Sequence, residues 1–308
     1  MGIKQTIKAF TIAVSLMICT TALAWKDDGE IKVMTQNQYL GADLVPLLAA
    51  ANPEAFNTAL ISVLTKIADN RFRDRVQRQA AQIAKEQPHI VALQEVWGLD
   101  CQDFTPAPGF GCDDPSIKGA FVDHLQETLL ALKAKGQKYR AVASVKNLDV
   151  SVIQVQGFPA GIPFLINGVP AVLTTIDRDV ILARADIPAR PVDYTLACPT
   201  RNSLDGCNYQ VVIPAPTPVG TLPILRGFVA VDAKVRGKIY RIVNTHLEVR
   251  DPDPNNPLSK VFQAAQAMEL IQTLQATTPP DKPLLLLGDM NSSPEDQEVA
   301  EPLTLPPP

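Results

Sequence analysis

Apolar and polar positions alternate, or run apolar throughout, over short stretches at residues 31–37, 90–96, 149–156, 179–184, 228–235, 238–247 and 283–287, which predicts strands there. Between them the spacing changes to that of helices. Over residues 54–86, Phe56, Leu60, Leu64, Ile67, Phe72, Val76, Ala80 and Ile83 recur at helical steps until Pro88 forbids continuation. The pattern returns over residues 121–135 through Leu125, Leu129 and Leu132. It appears again over residues 258–274 through Val261, Phe262, Ala265, Met268 and Ile271. The tight link Arg236-Gly237 joins two of the strands as a hairpin, while the Pro-rich stretches 213–223 and 251–257 read as surface loops. Strands separated by helices, with hairpin-joined pairs among them, predict a mixed α/β architecture with antiparallel pairing in one large domain.

The first residues stand apart from this pattern. Lys4 and Lys8 precede an uncharged apolar run from Ala9 to Ala24 that closes on Ala22-Leu23-Ala24 before Trp25 and Lys26. Such a run falls short of the roughly 20 residues a spanning helix needs and ends in the small residues a signal peptidase cuts. Residues 1–24 therefore read as a secretory signal peptide and 25–308 as the exported domain, secreted or periplasmic, with no stable membrane anchor. Cysteine usage agrees. Cys101, Cys112, Cys198 and Cys207 remain after cleavage as two local pairs, and the simplest pairing joins Cys101 to Cys112 and Cys198 to Cys207. A zinc site is the rival reading, but the spacing is wide and the chain has only 3 histidines, His89, His124 and His246. With 46% apolar residues and a net charge of -4, the chain is too apolar for disorder and too acidic for tight nonspecific binding of nucleic acid.

Polar residues gather where strands should end. Val33-Met34-Thr35-Gln36 delivers Asn37, and Ile90-Val91-Ala92-Leu93 delivers Gln94 and Glu95. Ile242-Val243-Asn244-Thr245 delivers His246, and four consecutive leucines, Leu284 to Leu287, deliver Gly288, Asp289 and, two residues on, Asn291. A carboxylate beside so apolar a strand is costly unless a cation or donor compensates it. Glu95 and Asp289 offer hard oxygen ligands, Asn37 and Asn291 neutral hydrogen-bonding groups, and His246 a donor to an anionic oxygen. That set suits Mg²⁺ or Mn²⁺ holding a phosphate ester, because magnesium takes one or two carboxylates and keeps positions for water and phosphate oxygens.

In this order, Asn37, Leu93-Gln94-Glu95-Val96, Asn244-Thr245-His246-Leu247 and Gly288-Asp289-Met290-Asn291 resemble the endonuclease/exonuclease/phosphatase (DNase I-like) superfamily. The resemblance implies a four-layer sandwich of two mainly antiparallel sheets flanked by helices, and a metal-dependent hydrolase acting on a nucleic acid, a phospholipid or a small phosphoester. It implies Glu95 as main metal ligand with Asn37 in support, His246 on the scissile phosphate, and Asp289 with Asn291 orienting water. The family pattern ends in a downstream Asp-His motif supplying a general base. Nothing after Asn291 matches it, so the domain reads as C-terminally incomplete, lacking its last strands, and a catalytically impaired phosphate-binding relic is the alternative. No protein partner is evident. Three neighbouring features are assigned no catalytic part. Asp177-Arg178-Asp179 reads as a salt-bridged turn at a strand start, His124 as an exposed helical residue, and Arg71, Arg75 and Arg78 as a solvated helix face. The apolar stretch 157–166 fits a lipid-touching loop or a buried hairpin, and Asn291-Ser292-Ser293 matches a glycosylation sequon.

Overall fold

A computed structural model describes residues 30–198, 206–212, 215–222, 224–250 and 258–293. Contacts divide the chain into Met1–Glu30 and Ile31–Pro308, and the expected signal peptide lies outside the described residues. In chain order the elements are β1 (Val33–Asn37), α1 (Val45–Leu48), α2 (Pro53–Asn70), α3 (Phe72–Glu86), β2 (Ile90–Gln94), β3 (Gly98–Asp103), α4 (His124–Ala134), β4 (Tyr139–Asp149), β5 (Ile162–Ile166) and β6 (Val169–Arg184). They continue with β7 (Ala189–Pro191), β8 (Gly206–Asn208), β9 (Ala215–Thr217), β10 (Gly220–Leu222), β11 (Gly227–Val235), β12 (Lys238–His246), α5 (Leu258–Thr277) and β13 (Leu284–Asp289).

The long strand β6 organises the first sheet. Its C-terminal half pairs antiparallel with β2 on one edge and β4 on the other, and its N-terminal half pairs with β3 and β5 in the same arrangement, while β1 joins β2 in parallel. In the second sheet the hairpin β11–β12 turns at Arg236 and Gly237, both in the left-handed region, with β7 and β8 on the free edge of β11 and β13 parallel to β12. Strand alternation then builds the layers. Ile181 and Ala183 of β6 meet Val229, Val231 and Ala233 of β11 and Ile242 of β12 between the sheets. On the opposite face of β6, Val180 and Leu182 receive Phe72, Val76, Ala80 and Ile83 of α3 and Leu132 of α4. Outside the second sheet, Phe228, Ala230 and Val243 pack under Leu270 and Leu274 of α5. The helix, sheet, sheet, helix order is the predicted four-layer sandwich. Each of these buried Val, Leu, Ile and Phe side chains contributes about 1.5–3 kcal/mol.

Local chemistry sets several boundaries. Asn52 caps α2 by accepting from the Ala55 N–H, and Pro53 occupies the first turn, where its missing N–H costs nothing. The single helix expected over residues 54–86 is two helices, because Arg71 takes φ 45° and ends α2 before α3 begins. The strand expected over residues 149–156 is absent. β4 ends at Asp149, whose carboxylate accepts from the Ser151 N–H and turns the chain into a short 3-10 segment. The stretch 157–166 contains β5, with Ile162, Phe164 and Ile166 buried and Phe158 and Leu165 exposed, so its second half is the buried hairpin. Both disulfides form as the simplest pairing predicts. Among the described residues β13 pairs on one side only, and Leu284 and Leu286 on its outer face are 39% and 40% exposed. The C-terminal incompleteness read from the sequence concerns residues 294–308, outside the described residues. No helix among the described residues is long and apolar enough to cross a membrane.

Candidate functional site

Two parallel strand pairs bring the four expected segments together. Asn37 stands in register with Gln94 at the end of β1 and β2, and His246 with Asp289 at the end of β12 and β13. The carboxyl ends of both pairs meet where the two sheets face each other. The join is specific. Asn37 Nδ2 donates to Glu95 Oε1 at 2.9 Å and to Asp289 Oδ2 at 2.9 Å, so one amide from the first sheet bridges a carboxylate of each sheet. Each carboxylate has a second backbone donor: Leu40 N to Glu95 Oε2 at 2.9 Å and Asn291 N to Asp289 Oδ1 at 3.0 Å. Burial opposes charge on Asp289, but Asn37 and the Asn291 N–H outweigh it and hold the carboxyl below its ordinary value.

Backbone conformation serves this convergence. Glu95 lies just past β2 at φ 54°, a region that L-residues seldom occupy, and Tyr39 and Asn291 take φ 54° and 48° in the neighbouring loops. Gly288 has φ 147°, and a Cβ there would lie 2.1 Å from the Thr245 carbonyl oxygen, so the close passage of β13 along β12 requires glycine. Gln94 and Asn244, both part of the sequence motifs, are structural. The Gln94 amide donates to Asn244 Oδ1 at 2.6 Å, and Asn244 Nδ2 donates to the carbonyls of Leu93 and Val180 at 2.9 and 3.1 Å, stapling one sheet to the other. Asn291 spends its amide N–H on the Leu247 carbonyl at 2.8 Å.

His246 is buried, and that burial, with Arg226 beside it, pushes its imidazole down to about 3. Its Nδ1 lies 3.2 Å from Arg226 Nη1 and 4.0 Å from Asp179 Oδ1. The expected salt-bridged turn at Asp177-Arg178-Asp179 is corrected here. These residues lie within β6, where alternation turns Asp177 and Asp179 inward and buried, while Arg178 turns away to donate to both oxygens of Asp123 at 3.0 Å. Burial raises both aspartates, Asp177 to about 7, with Glu95 adding to the effect at both, Asp177 adding to it at Asp179, and Arg226 opposing it. Arg226 itself is held charged: burial works against it, but Glu248, Asp177 and Asp179 outweigh that and raise its pKa. Asp179 Oδ2 accepts from Asn147 Nδ2 at 2.9 Å. Two signals in the sequence foreshadow this cluster: the i, i+2 spacing of the aspartates next to an apolar run, and an arginine opening the strand opposite the histidine.

Two other expectations also change. His124 is fully buried, its ring stacked 3.4 Å from that of Phe72, and burial lowers it to about 3. Its helix face carries the residues that contact α3, so the amphipathic pattern hid it. Arg75 leaves the expected solvated face and donates to the carbonyls of Gln38 and Tyr39 at 2.6 and 2.9 Å, clamping the loop that follows Asn37. Among the described residues, the one close group of three His, Cys, Asp or Glu ligands is Cys101, Asp103 and Cys112, whose cysteines are disulfide-bonded. The convergent site instead offers Glu95 and Asp289. A pair of carboxylates is too small for a closed zinc site and matches the one or two that magnesium takes.

The endonuclease/exonuclease/phosphatase family model matches residues 56–307. The chain belongs to this family. Glu95, His246, Asp289 and Asn291 fall within the matched residues, and Asn37 precedes them. Members of the family are mostly hydrolases of phosphate esters and generally depend on a divalent metal. No curated protein sequence matches the chain. Among solved structures it is similar to a humanised TDP2 of D. rerio, at 13% identity and a TM-score of 0.37, covering 88% of this chain and 66% of that one. It is similar to a β-hairpin deletion mutant of beta toxin from Staphylococcus aureus, at 12% identity and a TM-score of 0.38, covering 88% and 71%. A family protein from Leptotrichia buccalis C-1013-b gives 14% identity and a TM-score of 0.40, covering 88% and 71%. This chain thus spans about two thirds of the first relative's length.

Proposed function

We propose that this protein is an exported phosphoesterase, dependent on Mg²⁺ or Mn²⁺, that hydrolyses a phosphodiester or phosphomonoester by direct attack of water on phosphorus. The observation that carries the reading is the Asn37 bridge, which holds Glu95 and Asp289 side by side from two different sheets. Glu95 is the principal metal ligand, and Asn37 supports it. Bound there, a divalent ion supplies neutralisation of the phosphate charge and a Lewis acid at its oxygens. Asp289 accepts a hydrogen bond from the attacking water and, with Asn291, orients it. His246 donates to a non-bridging phosphoryl oxygen, where charge grows in the transition state. Export is supported by the two disulfides, which persist in oxidising compartments, and by the apolar run ahead of Trp25.

The test is hydrolysis of plasmid DNA, sphingomyelin and a bis-aryl phosphodiester by the purified chain, with Mg²⁺ or Mn²⁺ and with EDTA. Metal-dependent turnover of any of them supports the proposal, and the preferred one names the substrate class. Binding of phosphate without turnover of any substrate would instead favour the alternative, a catalytically impaired phosphate-binding protein.

A further inference from the structure

Arg226 lies immediately before β11, and the antiparallel register sets its neighbour Gly227 opposite His246. A half-buried guanidinium is thereby placed against a buried imidazole, Nη1 to Nδ1 at 3.2 Å. Guanidinium has donors only and stays charged at any pH a protein survives, so the nitrogen facing it must present a lone pair. The rival partner for Nδ1 is Asp179 Oδ1, a buried oxygen with no hydrogen-bond partner, but at 4.0 Å it is beyond hydrogen-bonding reach. A proton on Nδ1 would point at the Arg226 N–H, and the imidazole itself is buried.

We infer that Arg226 is a positioning residue that holds His246 as the neutral tautomer with its proton on Nε2, making this histidine a fixed hydrogen-bond donor.

The surroundings keep the arginine in place. Glu248 Oε1 accepts from Nη2 at 3.4 Å, and Asp177 and Asp179 supply the remaining negative field, so the cation is compensated although its side chain keeps only 16% exposure. The consequence is a division of labour. His246 carries no proton to or from the reacting atoms; its Nε2–H is present before any ligand arrives and costs no rearrangement when the transition state forms. Its assignment to a phosphoryl oxygen rests on the proposed function, whereas the tautomer itself does not.

Tautomers are read directly by long-range ¹H–¹⁵N correlation within the rings of the ¹⁵N-labelled full chain in EDTA. The chain has 3 histidines, so a His246→Asn spectrum assigns the relevant signals by difference. The expected result is an Nε2–H pattern for His246 at pH 7. An Nδ1–H pattern, or an imidazolium at pH 7, overturns the inference whether or not any variant folds. Arg226→Lys keeps a cationic donor and is expected to retain the pattern. Arg226→Met is expected to move the proton toward Nδ1 and Asp179, and a folded Arg226→Met that keeps the wild-type pattern removes Arg226 from the role. On the bis-aryl phosphodiester with Mg²⁺, Arg226→Met should lose about tenfold or more in kcat with a smaller change in KM. Turnover failing in the wild type while the Nε2–H pattern stands would sink the phosphoesterase reading alone. An active wild type with Nδ1–H would sink the tautomer alone.

Discussion

Replacing Asn37 by leucine removes the one amide that stands between Glu95 and Asp289 while keeping nearly the same side-chain shape. Two charge-assisted hydrogen bonds, both 2.9 Å, are lost together. Each is worth about 1.5–3 kcal/mol when its partner is charged, and partial exposure of the site favours the low end. The two acceptor oxygens, each 2.9 Å from the same nitrogen, then face each other unshielded, which costs about 3 kcal/mol at an effective dielectric of 20 before they relax away. A net loss of about 2–4 kcal/mol in the metal-free protein follows. At this chain length that lowers Tm by about 3–7 °C. Asp289 is held below its ordinary pKa in the fold, so its contribution is present above the unfolded value and lost as pH falls through the folded one. The gap between wild type and Asn37→Leu should therefore be full at pH 7 and close below about pH 4. Thermal unfolding by circular dichroism in EDTA, and again with 10 mM Mg²⁺, checks both points. Added metal should recover more Tm in the variant than in wild type, because it replaces the missing positive end of the amide. Equal melting of the two proteins in EDTA would show that the bridge contributes nothing and that the two sheets are brought together by their apolar faces alone.

Three further outcomes follow from other parts of the molecule. Glu95→Gln should weaken Mg²⁺ or Mn²⁺ binding in calorimetry by more than the roughly 10–100-fold that outer-shell changes cost, with an unaltered circular dichroism spectrum; equal affinity would remove Glu95 from the metal site. Asp232 accepts from Arg241 Nε and Lys282 Nζ, each at 2.7 Å, and although burial opposes its charge these partners hold its carboxyl low. Asp232→Asn should thus destabilise the protein at pH 7 by about 3–5 kcal/mol, with the difference shrinking as pH falls through the folded value, in urea titrations at pH 7 and pH 3. Mass spectrometry of the exported protein should find a start near Trp25 and no alkylatable cysteine before reduction, and the Cys101→Ala, Cys112→Ala double variant should lose about 3 kcal/mol of stability.

Much of this protein is written locally. The alternation along β11 and β12, the hairpin at Arg236-Gly237 and the helical steps of α4 and α5 are visible because each depends on neighbours a few residues away. The same holds for Asn37, Glu95, His246, Asp289 and Asn291, because a polar residue at the end of an apolar strand stands out against its own segment. The break at Arg71 was not visible: nothing in the helical period of residues 54–86 marks a left-handed residue, and the turn is imposed by packing α2 and α3 on different clusters. Nor was β3, a short strand whose pairing is decided by the N-terminal half of β6. The environment of His246 is wholly tertiary. Asp179 and Arg226 come from 67 and 20 residues earlier in the chain, and only the tertiary fold puts a cation and a buried carboxylate beside the same imidazole nitrogen. Residue types follow from sequence, but charge states, tautomers and burial follow from what the fold places within a few ångströms, which no local pattern encodes.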